Sequence, residues 1–521
     1  MRSILKKTFT TLLAGLGAAG LAHASEVMVT ADITTSTTWT ANNTYNLQNQ
    51  IYVRSGATLT IEAGTIIASD TGVGGSLAVA RGSQIFVLGT KEKPVIMTSK
   101  GDVATWTDGP RTGSWREAQN EWGNLTIMGS AYISENAIGT NTSTCNAANV
   151  ADMEGLTNGP STDRYGGGND NDDSGTIKYV SLRYGGKRIG LNNELNGLSL
   201  GGIGRGTDIH HIDIMNNVDD GIEIWGGTVN IKYFNIWDIG DDSFYVDQGW
   251  RGKAQFGLIV QGYSSQASQG SGTGDNIFET DGAEQSDYQP VTTAVVYNVT
   301  AIGQPISGDH GTAWRDNARV QYRNCIFMDL GEQLIRLDNV DGDGGAGYGF
   351  NGTLSWAATW TTPFNAVPAH ANDCLPRATF YPAQTSGDLA EMSDSVFYNN
   401  LHASAYTESN ARGVTVLGDD APLEHNIVAA ASPIRKIVRG PNVSYLGLIM
   451  QPVVTLDPRP ANDALTSFAA APADGFFTPA QYRGAFRPDQ GNTEIRPWIC
   501  GWTASSAFGF IEPCNVAAGK L

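Results

Sequence analysis

The residues of this chain best suited to chemistry are carboxylates that return at a fixed interval. Asp219-Asp220-Gly221-Ile222-Glu223-Ile224 recurs as Asp241-Asp242-Ser243-Phe244-Tyr245-Val246, an offset of 241 − 219 = 22. Acids repeated in this way fit three chemistries. Ca2+ takes about six to eight oxygen ligands from clustered carboxylates and carbonyls. An inverting glycosidase needs two carboxyl groups roughly 6.5–9.5 Å apart. Asp side chains at chain corners also bind turn amides and stack in ladders without any ligand. On the first account Asp219, Asp220, Asp241 and Asp242 are metal ligands, and on the second Asp220, Asp241 and Asp242 are acid/base groups. Arg251 and Lys253 follow closely. In a polysaccharide lyase, Ca2+ acidifies the uronate α-proton and an Arg or Lys removes it, so these two are the candidate bases, with salt bridges to Asp241 or Asp247 as the structural alternative.

Two Gly-rich stretches offer further oxygen ligands. "RYGGGNDNDDSG" carries Asp170, Asp172 and Asp173, and "DNVDGDGG" carries Asp338, Asp341 and Asp343. Both have the ligand density of calcium loops, but neither has the bidentate Glu that closes an EF-hand. His210, His211 and His310 have no Cys or His partner at zinc-like spacing and read as ordinary side chains. Trp225, Tyr233, Trp237, Tyr245 and Trp250 alternate through the acidic repeat, as a sugar-stacking platform or as core and ladder residues.

The elements that must position these residues are short strands. "IYVRSGATLTIEAGTIIAS", "SLAVARGSQIFVLGT", "EWGNLTIMG" and "GTIKYVSLRYGG" alternate in hydrophobicity and are broken by Gly, and helical periodicity is scarce. The 22-residue offset also maps Ile209, Ile212 and Ile214 onto Ile231, Phe234 and Ile236. Strands returning in phase at about 20–25 residues make each repeat one coil of a solenoid. We expect Ile212 over Phe234 and Ile214 over Ile236 as inward stacks one strand spacing, about 4.8 Å, apart. The fold expected is all-β, a single right-handed parallel β-helix over 25–451. Arg111–Gly175, Gly262–Asn276 and Gly342–Leu389 are long excursion loops, and the Pro- and Ala-rich segment 452–521 is a C-terminal cap or docking segment.

The segments "GATLTIEAGTII", "EWGNLTIMG", "NELNGLSLGGIGRGTDIHHIDIMNNVDDGIEIWGGTVNIKYF" and "DDSFYVDQGWRGKAQFGLIVQG", with "RDNARVQYRNCIFMDL" and "RPWICGWT", resemble a family of exported bacterial right-handed β-helix proteins. That resemblance spans Ala57 to about Trp502 and implies the fold and no particular activity. The chain is also similar, more loosely, to the pectin-degrading β-helix enzymes. In polygalacturonases an Asn-Thr-Asp motif lies one coil before an acidic pair, which maps Asp220 to the first carboxylate and Asp241 and Asp242 to the pair. The Gly-His-Gly of those enzymes has no counterpart on the following coil, which reads "QGWRGKAQFG".

Bulk properties bound the partners. Arg2, Lys6 and Lys7 precede an apolar run that closes with Ala22-His23-Ala24, the pattern of a secretory signal peptide over 1–24, which leaves 521 − 24 = 497 residues. The expected location is extracellular or at the cell surface. A net charge of −19 argues against nucleic acid and for a cation as partner. Of five cysteines, Cys500 and Cys514 bracket a short loop and are the expected disulfide, while Cys325 reads as a buried small residue. The function expected is engagement of an extracellular polysaccharide, supported by Ca2+. Two alternatives stand beside it: a non-catalytic surface scaffold or adhesin, and a calcium-assisted polysaccharide lyase or glycoside hydrolase.

Overall fold

The computed structural model describes residues 25–107, 113–190, 193–264, 274–283, 285, 288–337, 356–365, 374–400, 425–461, 470–488 and 496–515. The expected signal peptide and the stretch containing Asp338, Asp341 and Asp343 lie outside the described residues.

The strands wind into a parallel β-helix with three walls. One wall is a sheet of nine parallel strands, from Gln50–Val53 through Leu198–Gly201, Ile222–Trp225, Phe244–Asp247, Phe278–Asp281 and Thr312–Arg315 to Ile335–Leu337. We call it the site wall. The other two walls are joined by long strands that turn a corner: Gly175–Arg183, Asp208–Asn217, Asn230–Ile239, Lys253–Val260 and Thr293–Ile302. Gly175–Arg183 shows the bend directly, because its first half pairs with Gln84–Leu88 and its second half with Val95–Ser99.

The corner explains a spacing in the sequence that simple alternation does not. Ile209, Ile212 and Ile214 all point inward, although 209 and 212 differ by an odd number. His211 sits between them at φ 57°, in the left-handed region, and this single residue resets the alternation. Tyr179, Tyr233, Phe256 and Asn298 take the same conformation on neighbouring coils, at φ 49°, 60°, 62° and 56°. Their side chains project outward, and the rings of Tyr179, His211, Tyr233 and Phe256 stack at 4.1, 4.4 and 5.0 Å. Inside, Ile209 pairs with Ile231, Ile212 with Phe234 and Ile214 with Ile236, as the 22-residue phase requires. These residues belong to one continuous apolar core that runs from Ile33 to Phe397, which no single coil could bury alone.

The C-terminal segment, expected as a cap or docking segment, runs along the side of the solenoid, where Trp498 lies 5.4 Å from Tyr233 and Trp502 lies 5.4 Å from Tyr179. The backbone N–H of Ala504 donates to Asp213 Oδ2 at 2.7 Å, and Phe510 stacks on Trp237 at 5.5 Å. The physical reason is the outward aromatic ladder, a hydrophobic stripe along several coils that must be covered. Cys500 and Cys514 are disulfide-bonded with Cα atoms 5.2 Å apart. A second bridge, Cys145–Cys374, ties two excursion loops across 229 positions, a pairing that sequence spacing did not reveal. Cys325 is free and buried, and burial pushes its thiol up to about 12. Among the described residues no helix is long and apolar enough to cross a membrane.

Candidate functional site

The acidic repeat occupies the corner that leads into the site wall. Backbone bonds stack this corner coil upon coil: Gly197 N–H donates to Asp220 O, Gly221 N–H to Asp242 O, and Ser243 N–H to Asn276 O, at 2.8, 2.9 and 3.0 Å. Two columns of side chains result. The inner column is Asn196, Asp220, Asp242 and Asn276. Within it each side-chain oxygen caps the next turn: Asp220 N–H donates to Asn196 Oδ1 at 3.1 Å, Asp242 N–H to Asp220 Oδ1 at 2.9 Å, and Asn276 N–H to Asp242 Oδ1 at 2.7 Å. The ladder account therefore describes one oxygen of Asp220 and one of Asp242. The outer column is Asp219, Asp241 and Asp275, and there the account does not cover Asp241. Asp241 Oδ1 is buried without a hydrogen-bond partner.

Both columns open into a cleft of about 410 Å3 lined by Glu154, Asp219, Asp220, Glu223, Asp241, Asp242, Tyr245, Asp275, Glu279 and Arg315. The strand register brings Glu223, Tyr245 and Glu279 together on its floor, because Glu223 pairs with Tyr245 and Tyr245 with Glu279. Glu154 comes from the excursion loop after Leu125–Met128, whose Ile133, Met153 and Tyr165 cover the wall beside Tyr52, Met128 and Trp225. Glu154, Glu194, Asp275 and Glu279 were missed as site residues. The only signal for Asp275 and Glu279 was their phase with Asp241 and Tyr245, displaced by the 262–276 excursion.

Ligand atoms converge in three overlapping groups: Glu154, Glu194 and Asp219; Asp219, Asp220 and Asp241; Asp241, Asp242 and Asp275, each within 4.8 Å. Burial and the neighbouring negative charges hold Asp219, Asp220, Asp241 and Glu223 well above the ordinary carboxylate value. Burial pushes Asp242 up to about 6, against the hydrogen bonds from Asn276. It pushes Glu154 up to about 7, and burial together with Asp242 and Asp309 pushes Asp275 up to about 9. Such a set accepts protons or a cation far more readily than isolated carboxylates would.

Among the described residues, Arg315 is the one cation lining this cleft. It is ion-paired with Glu279 and, at 3.1 Å, with Asp281. Burial works against its charge, but Tyr245, Asp242, Asp316 and Asp247 hold its pKa above the ordinary value.

The two candidate bases lie elsewhere. Arg251 is 1% exposed and grips Asp170 with two bonds of 2.7 and 2.8 Å, while donating to the carbonyls of Phe380 and Tyr132 at 3.0 and 3.1 Å. Lys253 begins a strand of a different wall and pairs with Asp474 of the C-terminal segment at 2.5 Å. Closeness in sequence misled here, because half a coil carries the chain around a corner and onto another face.

The calcium-loop reading of 164–175 is corrected for the same kind of reason. Asp170 serves Arg251, Asp172 accepts from Ser130 N–H at 3.1 Å and from Ser174 Oγ at 2.9 Å, and Asp173 accepts from Gly175 N–H at 2.9 Å. The three carboxylates spend themselves on separate turns and do not converge. Of the five aromatics, only Tyr245 lines the cleft. Trp225, Trp237 and Trp250 are buried at 7%, 1% and 1% exposure, and Tyr233 belongs to the outer ladder. His211 is half-buried in that ladder, and its partial burial lowers its pKa to about 3.

The fold places the chain in the class of parallel β-helix solenoids, here with an acidic cleft on one wall. The chain belongs to the pectate-lyase-like β-helix domain family, whose model matches residues 31–357. No curated protein and no solved structure matches it. The family likeness supports a polysaccharide-related role.

Proposed function

We propose that the protein is exported and holds Ca2+ in the acidic cleft, and that the bound ion recruits an anionic extracellular polysaccharide. The observation that carries this reading is the convergence, among the described residues, of eight cleft-lining carboxylates against the single cation Arg315. Without a cation the cleft would repel a uronan. With one, protein oxygens supply part of the coordination shell and substrate carboxylates can complete it. Tyr245 on the cleft floor gives an aromatic contact for a sugar ring.

Binding is favoured over cleavage by one feature. The lyase mechanism needs a base beside the metal, and Arg251 and Lys253 are committed to Asp170 and Asp474. Arg315 is a poor base, being held charged by its acidic neighbours. The test is affinity electrophoresis of the mature chain in pectate, alginate and a neutral glucan, with Ca2+ or with chelator. Retardation by the uronans in Ca2+ alone, lost in Asp219→Asn and Asp241→Asn, is expected. Equal mobility in all gels refutes the reading, and release of an unsaturated, ultraviolet-absorbing uronide would replace binding with lyase action.

A further inference from the structure

The acidic columns place two groups of carboxylates in series. Asp219, Asp220 and Asp241 each bring a ligand atom within 4.8 Å of the others, and so do Asp241, Asp242 and Asp275. That span is twice a Ca–O distance of about 2.4 Å, so one ion can touch all three members of either group. The groups lie on successive coils, as the backbone bonds from Gly221 to Asp242 and from Ser243 to Asn276 require. Asp241 belongs to both. Its side chain is buried, and its Oδ1 has no hydrogen-bond partner. Asp220 and Asp242 each give one oxygen to a backbone N–H of the next coil, but no such donor meets Asp241 Oδ1. A buried carboxylate oxygen without a donor costs the fold free energy that a cation restores.

Both ends of this series are closed by partners from the protein. Glu194, beyond Asp219, has Arg188 Nε 3.8 Å from its carboxylate. Beyond Asp275 the corner continues to Asp309 and His310, with Ile277 N–H donating to His310 O at 3.1 Å. There Asp309 Oδ1 accepts from the His310 backbone N–H at 2.9 Å and meets the ring at Nδ1, while Nε2 lies 3.0 Å from Glu332 Oε2. Resting on the reading that the cleft holds Ca2+, we propose that it holds two Ca2+ ions on successive coils, bridged by the carboxylate of Asp241. One ion offsets two charges and leaves most of the eight cleft carboxylates uncompensated, so a second is still attracted. Repulsion between ions one strand spacing, ~4.8 Å, apart opposes it. A negative group placed between the two reduces that repulsion, which is the role of Asp241. The second ion therefore binds more weakly than the first. Three protein carboxylates leave each ion further positions for water or for uronate oxygens.

The experiment uses the full mature chain, stripped of metal, and reads Ca2+ uptake by calorimetry without any polysaccharide present. Two equivalents are expected, one tighter than the other. Asp275→Asn should keep the tighter equivalent and weaken the other by about tenfold or more, because Asp275 belongs to the second group alone. Asp241→Asn should weaken both, as only a shared ligand would. Asp275 is half-buried, so its variant reports on the second ion even if the Asp241 variant fails to fold. A second readout is energy transfer between Tb3+ and Eu3+ loaded together, which two ions on adjacent coils make efficient and a single site forbids. One equivalent in the unaltered chain overturns the inference and leaves the single-ion reading standing, whereas no uptake removes both. Two equivalents that Asp275→Asn leaves unchanged also overturn it, because the second ion then lies outside the cleft.

Discussion

Replacing Asp242 by Asn should stabilise the metal-free protein and destabilise the calcium-loaded one. Burial raises the Asp242 carboxyl from an ordinary 3.8 to about 6. Each tenfold change in proton affinity is worth about 1.4 kcal/mol, so ionising this buried group costs the native state up to ~3 kcal/mol. Neighbouring acids share the proton, and an effect between ~1 and ~3 kcal/mol is expected. The native state binds protons more tightly than the unfolded chain. Stability of the wild type should therefore rise as pH falls through about 6, and the penalty should vanish below the unfolded value. Asn keeps an oxygen at the position that accepts from Asn276 N–H, so the ladder survives. With Ca2+ at a thousandfold excess over Kd the sign reverses, because a ligand that binds only the native state then adds ~4.1 kcal/mol, more than the ionisation penalty that Asn removes. The variant has lost one of its oxygens. Thermal melts at about pH 8 and pH 4, each with chelator and with Ca2+, give the four values required. If Asn destabilises the chelated protein at the higher pH, or if Ca2+ changes neither melt, the cleft is not an electrostatically loaded cation site.

Two further predictions test the framework around the site. Arg251→Ala should cost ~3–5 kcal/mol by leaving Asp170 buried beside no bidentate partner, while surviving folded protein retains its uronan binding; a folded variant that melts normally but has lost binding would return Arg251 to the functional site. Trp502→Ala should cost ~3–5 kcal/mol and raise binding of an apolar dye by uncovering Tyr179 and His211, and an unchanged melt would show that the C-terminal segment contributes little to the fold.

The sequence by itself determined the solenoid. A 22-residue phase and inward pairs such as Ile212 and Phe234 are local and periodic, and strand stacking has to honour a period once the core side chains repeat. It also located the densest carboxylates, since Asp219, Asp220, Asp241 and Asp242 stand at a corner wherever that period is satisfied. The direction of each side chain around the coil was decided only by the tertiary structure. One left-handed residue, His211, turns the chain onto another wall, and the same geometry carries Arg251 and Lys253 away from acids that are their neighbours in sequence. Excursions of unequal length likewise hid Glu154, Asp275 and Glu332 from any fixed offset, although stacking sets them beside Asp219, Asp241 and His310. Periodicity is a property of the chain, whereas convergence on a cleft depends on where each loop returns, and only the folded coils fix that.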